Sequence, residues 1–240
     1  MKLEKIRILE TGKNLGPLNM AIDEYLLYNY DEPILRIYGW SNPCISIGYF
    51  QSTDEVDLEK CKEQNVDVVR RITGGGAVFH DIEVTYSFIT KNFSQKIMES
   101  YEEISEIVIV ALKKLGLDAK FSPLNDVTVN GKKVCGNAQT RKNNALLQHG
   151  TILLKVDVKK MFSLLKVPKE KISDKNILDV KNRVSGISKT FEQVSDALKK
   201  SASDIFSCKL APLCLNENEL KLCQKLADEK FSDENWTFKR

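Results

Sequence analysis

Residues 70–81 read RRITGGGAVFHD. Gly74, Gly75 and Gly76 have no side chains, so backbone there can take positive φ and approach a ligand, and successive free N–H groups can line an anion. Arg70 and Arg71 add fixed charge, and arginine donates in a fork suited to phosphate or carboxylate. His80 and Asp81 could form an acid–base pair; a structural histidine satisfied by a carbonyl is the plainer reading. A second constellation is NDVTVNGKKVCGNAQTR, residues 125–141. Asn125 and Asp126 open it, Lys132 and Lys133 follow Asn130-Gly131, and Gly136 interrupts the returning strand. Strand alternation puts Lys133 and Cys135 on one face and Lys132 and Val134 on the other. A lysine aimed at a pocket can neutralise a phosphate or carboxylate oxygen; a solvated lysine pair at a hairpin tip is the plainer alternative. In the third, LLQHGTILL (146–154), His149 and Gly150 interrupt an apolar run. A glycine inside a strand often marks close approach by another backbone or a ligand.

The elements that position these residues are legible as periodicity. Residues 5–9, 33–39 and 44–50 read as strands, with 68–71 feeding the glycines and 84–90 following them. Asn-Gly between two short apolar runs is a strong hairpin signal, predicting strands over 126–129 and 132–138; another follows over 146–156. Met20, Ile22, Leu26 and Leu27 mark a helix over 19–28, and 57–64 is a shorter one. The clearest helix is 94–115, where Met98, Tyr101, Ile104, Ile107, Val108, Ala111, Leu112 and Leu115 recur at steps of three and four before Gly116. Beyond 157 the pattern is helical and charged, with helices over 195–206 and 217–231. The lysine-rich stretch 166–184 reads as mobile. Strands dominate 1–156 and helices 157–240 without regular alternation. That predicts an α+β fold with a mixed or antiparallel sheet, not a doubly wound parallel one.

With 240 residues, 42% hydrophobic and 29% charged, the chain can bury a core without disulfides or metals. A net charge of +3, from 36 Lys+Arg against 33 Asp+Glu, argues against nucleic acid as a partner. No apolar run approaches the ~18 residues of a membrane span, and the start does not read as a signal peptide, so a cytoplasmic protein is expected. Cys44, Cys61, Cys135, Cys208, Cys214 and Cys223 form no CxxC pair and, with two histidines, do not make a zinc pattern. Reduced thiols are expected.

In order and spacing, RRITGGGAVFHD, NDVTVNGKKVCGNAQ and LQHGTILL resemble the three motifs of the lipoate-protein ligase A family, and IGYFQ (47–51) resembles its pocket strand. The resemblance covers most of residues 5–190. The closing EKFSDENWTFKR resembles the end of short members that lack a C-terminal accessory domain. It implies a mixed, largely antiparallel sheet flanked by helices, as in biotin ligases and class II aminoacyl-tRNA synthetases. One catalytic domain would span 1–240, its helical part from about 157.

The resemblance also implies a reaction. Lipoate and ATP give lipoyl-adenylate, whose acyl group passes to a lysine on the lipoyl domain of a 2-oxoacid dehydrogenase or on glycine-cleavage H protein. ATP, Mg²⁺ and lipoate would be transient, with no permanently bound cofactor. Carboxylate and α-phosphate repel, and Lys133 is expected to offset that charge and hold the mixed anhydride. Arg70 and Arg71 would serve the phosphates or the loop beneath them, and Gly74, Gly75 and Gly76 would let the acyl-adenylate pass. Asn125 and Asp126 would bind the adenosine side or Mg²⁺, with Asp126 as the metal ligand. Tyr38, Ile47, Gly48, Val78 and His149 would line the pocket, and His80, Gly136, Gly150 and Thr151 would border the substrate. Without the accessory domain, adenylation would need a separate small partner chain.

Other readings stay open. A sister branch transfers octanoate from acyl carrier protein without ATP, through a cysteine nucleophile placed before the second motif. This chain has Leu124-Asn125-Asp126 there, and Cys135 is the nearest cysteine. A non-enzymatic acyl-binding subunit is a further alternative. The biotin ligase loop resembles GRGRxGR, with arginines between its glycines; here they precede them.

Overall fold

The computed structural model describes residues 1–165 and 183–240. All but the last two residues of the lysine-rich stretch read as mobile lie outside them. Among the described residues, β1 (Lys5–Asn14), β2 (Ile34–Trp40), β6 (Glu83–Thr90), β7 (Ala119–Ser122), β8 (Asp126–Val129), β9 (Lys132–Lys142), β10 (Ala145–Leu153) and β11 (Lys209–Pro212) form one sheet. The order is β11-β1-β2-β6-β10-β9-β8-β7. β1 runs parallel to β2 and β11, and the other neighbours pair antiparallel. This is the mixed, largely antiparallel sheet expected from the sequence. A smaller sheet, ordered β4-β3-β5, holds β3 (Cys44–Ile47), β4 (Asp67–Arg70) and β5 (Val78–His80).

Helices cover both faces of the large sheet, so its central strand is buried along its length: all eight residues of β6 are buried. Val84, Tyr86 and Phe88 pack with α3 (Ile97–Lys114) and α5 (Phe191–Phe206), through Ile104, Ile107, Val108, Val194 and Leu198. On the other face, Ile34, Tyr38, Trp40 and Ile89 pack with α1 (Gly16–Asn29) and α6 (Glu217–Leu226). α1 starts with Pro17 in its first turn, where the missing N–H is no loss. A third cluster joins the small sheet to α2 (Leu58–Glu63) and α4 (Val158–Leu164) through Ile45, Ile47, Cys61 and Leu164.

Several boundaries differ from the sequence reading. β1 runs to Asn14 because a bulge between Glu10 and Gly12 carries its polar half along β2. β7 and β11 have no counterpart in that reading. Each has only four residues at a sheet edge, too few to show a period. β9 extends to Lys142, and α6 ends at Leu226 before a π-type turn over Ala227–Phe231.

Candidate functional site

A cavity of about 220 Å³ lies between the small sheet with its glycine segment and the β6–β10–β9 region of the large sheet. Tyr38, Arg71, Gly75, Gly76, Val78, His80, Asn125, Lys133, Gly136, His149, Gly150 and Thr151 line it, with Met20, Trp40, Ser46, Ala77, Thr85, Asn137 and Ala138. The three sequence constellations therefore meet at one cavity, and Lys133 and Gly75 share its wall. A second, more apolar chamber of about 180 Å³ shares Ala77, Val78, Lys133, Gly136 and Thr151 with the first and continues past Phe79, Leu153, Val156 and Met161. Lys133 stands where the two meet. Ile47 lies instead in the small-sheet core, and Arg70, Gly74, Gly48 and Asp126 are outside the wall of the first cavity.

Lys133 reaches the cavity through a break in strand register. Thr128 pairs with Lys133, but Val127 pairs with Cys135, so Val134 is an extra residue in β9. The bulge resets the alternation. Val134 and Cys135 both turn into the main core, while Lys133 and Gly136 face the cavity. The expected shared face of Lys133 and Cys135 is thus corrected. Gly136 is needed here: a Cβ on it would lie 2.8 Å from both Cε and Nζ of Lys133. Lys133 Nζ lies 2.7 Å from Asp126 Oδ1. The pair is close but misaligned, since that oxygen accepts no hydrogen bond. No group of three His, Cys, Asp or Glu side chains comes together as a metal site among the described residues.

The two arginines of the glycine segment hold carbonyls. Arg71, 4% exposed, places Nη2 2.7 Å from Gly74 O and 2.8 Å from Gly76 O, and Nη1 2.7 Å from Ser46 O. Its remaining donors meet Ser46 Oγ and Thr73 Oγ1. Burial holds its pKa down at about 10. Every N–H of Arg71 is committed to protein oxygens, so it braces the glycine bend and has no donor left for a phosphate. Arg70 is fully buried. It donates to Gly48 O and Gln51 O at 2.7 Å each and to Thr237 O at 2.9 Å. Gly48 is pressed so close to the bend that a Cβ would lie 1.8 Å from Gly75 O. The sequence thus sets two fixed charges beside its most flexible stretch because each guanidinium gathers several backbone carbonyls into one shape.

Two hydroxyl–imidazole–carboxylate chains converge on Arg71. In one, Ser46 Oγ is 2.7 Å from His80 Nε2, and His80 Nδ1 is 2.7 Å from Glu83 Oε1. In the other, Thr73 Oγ1 is 2.8 Å from His149 Nε2, and His149 Nδ1 is 3.2 Å from Asp23 Oδ2. A carboxylate at Nδ1 makes that nitrogen the donor and leaves Nε2 to accept from the hydroxyl. His80 therefore pairs with Glu83 and Ser46, not with the exposed Asp81, and Trp40 stacks on its ring at 3.9 Å. Burial pushes His149 below the usual histidine range. Burial raises Asp23, but the Arg36 charge and the hydrogen bond to His149 outweigh it and hold the carboxyl below its ordinary value. Sequence reasoning missed Ser46, Thr73, Glu83, Asn137 and Asp23. Asn19 and Asp23 did carry a signal: two polar residues four apart on a buried helix face. Both meet Arg36, through Nη2 at 2.7 Å and Nη1 at 2.6 Å.

None of the six cysteines lines the cavity. Cys135 is fully buried in the core, where burial pushes its thiol well above its ordinary value. Its thiol is buried away from the cavity and does not reach a substrate held there.

A mixed sheet with a lysine at its hairpin bulge, facing an apolar cavity under a braced glycine bend, is the frame of one class of protein. The chain belongs to the lipoyl protein ligase A/B catalytic domain family, whose model matches residues 16–203. Within that class it is similar to octanoyltransferase LipM of Bacillus subtilis (strain 168), 33% identical over 278 aligned positions that span 100% of both chains. It is likewise similar to octanoyltransferase LipM of Clostridioides difficile (strain 630), 35% identical and covering 98% of each. Among solved structures, a bi-partite lipoate protein ligase from Thermoplasma acidophilum superposes with a TM-score of 0.88 at 32% identity, covering 99% of this chain and 97% of that one. The expectation of an ATP-dependent lipoate ligase is corrected by these relatives. The sequence relatives above, which match the chain from end to end, are named octanoyltransferases.

Proposed function

We propose that this protein transfers an octanoyl-type acyl group from a carrier-protein thioester to a lysine on a lipoyl-accepting protein domain. The end-to-end similarity to octanoyltransferases carries the reading. The cavity supports it. Its apolar walls suit an alkyl chain, and burying the six methylenes of octanoyl is worth about 5 kcal/mol at ~0.8 kcal/mol each. The Lys133 ammonium lies where a carbonyl at the junction of the two chambers would develop negative charge, and a cation aimed at that oxygen favours the charge.

With every cysteine outside the cavity, transfer proceeds directly. The acceptor amine attacks the thioester carbonyl and the C–N bond forms. The tetrahedral oxyanion is held by Lys133. The C–S bond then breaks, and the carrier thiolate takes the proton that the amine gives up. No acyl-enzyme forms.

The test is intact mass spectrometry of a lipoyl domain incubated with the protein and octanoyl-carrier protein, alongside the mass of the protein itself. The expected result is one octanoyl group on the domain and none on the enzyme. Incorporation only from free acid with ATP and Mg²⁺, and none from the thioester, overturns the reading.

A further inference from the structure

The closing segment 228–240 takes no part in the cavity wall, yet it is fastened beside it. Trp236 Nε1 donates to Arg70 O at 2.8 Å, and Thr237 O accepts from Arg70. This brings a set of cations together. Lys239 Nζ lies 3.5 Å from the centre of the Trp236 ring and 3.9 Å from that of Tyr49. Lys142 Nζ is 5.1 Å from the Tyr49 ring, and the Arg240 guanidinium is 5.4 Å from Phe50. Lys230 also stacks on Trp236, but it is paired with Glu24. Lys142, Lys239, Arg240 and Arg70 have no carboxylate within ion-pair distance among the described residues. One nitrogen of Arg70, Nη2, is buried without any partner. Partial burial and the charges of Arg70, Lys230, Arg240 and Lys142 hold Lys239 down at about 8. In a chain whose charges nearly balance, these side chains concentrate positive charge locally. Phe50, 68% exposed, stands at its edge.

The surface adjoins the cavity. Tyr49 N donates to Thr73 O at 2.8 Å, and Gly48 packs on Gly75, a lining residue. Two protein substrates must approach this region. The acceptor brings a lysine, a cation that the cluster repels. The donor brings an acyl arm joined to its carrier through a phosphodiester, an anion that the cluster attracts.

We infer that the basic and aromatic surface of Lys142, Lys239, Arg240, Tyr49 and Phe50 docks the acyl-carrying donor protein at the face that bears its anionic, phosphodiester-linked arm. This rests on the proposed transfer reaction, so its test reads binding as well as turnover. Fluorescence anisotropy would follow labelled octanoyl-carrier protein titrated with the wild-type protein, Lys142→Glu and Lys142→Glu/Lys239→Glu. Both side chains changed here are surface groups, and thermal unfolding checks that each variant folds. The expected result is wild-type binding that weakens with added salt, a Kd raised about tenfold or more in the double variant, and an intermediate value for the single one. Transfer from the small neutral thioester octanoyl-pantetheine should be unchanged in every variant, as should the KM for the acceptor. No carrier binding by the wild type, an unchanged Kd in the double variant, or a rise in acceptor KM instead would overturn the assignment. Absence of transfer from octanoyl-pantetheine in the wild type sinks the transfer reading alone, because the binding arm does not depend on it.

Discussion

Gly136→Ala separates the positioning of Lys133 from the stability of the fold. A Cβ built on Gly136 comes 2.8 Å from Cε and Nζ of Lys133, whereas carbon contacts settle at about 3.5–4.0 Å. The lysine tip must retreat by about 1 Å. The displaced atoms are the free end of a flexible side chain that is 39% exposed, so they can move without disturbing the sheet, and alanine suits a strand at least as well as glycine. Unfolding free energy should therefore change by no more than ~0.5 kcal/mol. The reaction is less forgiving. A misplacement of about 1 Å at a catalytic group can cost ~100-fold, or about 2.7 kcal/mol of transition-state stabilisation. Urea unfolding and single-turnover transfer of octanoyl to an acceptor domain read the two effects side by side. Transfer at the wild-type rate would refute the placement of Lys133, and loss of the fold would show that Gly136 acts through packing.

Arg71→Lys should lower stability by about 2–4 kcal/mol, since one ammonium cannot reach the five oxygens that the guanidinium serves and leaves buried carbonyls unpaired; urea unfolding measures it, and a loss under ~0.5 kcal/mol would contradict the bracing role. The depressed pKa of His149 makes stability fall on acidification. Below about pH 6.5 the unfolded chain binds a proton that the folded one refuses, so stability drops by up to ~1.4 kcal/mol per pH unit until the folded value is reached. His149→Gln should flatten that slope in urea titrations at pH 7.5 and 5.5, and an unchanged slope would remove His149 as its source. Cys135→Ser should cost about 1–3 kcal/mol by burying a hydroxyl in the core while transfer persists; abolished transfer in a folded variant would restore the thiol to the mechanism.

Much of the architecture was legible because its periods are strong. α3 announces itself through Ile104, Ile107, Val108, Ala111 and Leu112, and the Asn130-Gly131 hairpin through its turn residues. The edge strands β7 and β11 were hidden by their length. The site was harder for a specific reason. Strand alternation assumes an unbroken ladder, and the extra residue Val134 breaks it where it matters most, sending Cys135 into the core and Lys133 to the cavity. The partners of the two histidines were hidden by distance along the chain: His149 meets Asp23, 126 residues away, and Thr73, 76 residues away. The arginines read as serving either an anion or the loop beneath it, and the choice stayed open because nothing in a sequence shows that backbone carbonyls, which every residue carries, will fill the fork.

Single-turnover transfer from octanoyl-carrier protein to a lipoyl domain by wild type and Lys133→Ala tests the central claim most directly. Removing a positioned charge donor of this kind costs ~100- to 1,000-fold. Such a loss, in a variant whose urea unfolding curve matches the wild type, is the predicted result. A folded Lys133→Ala protein that transfers octanoyl at the wild-type rate would contradict the account.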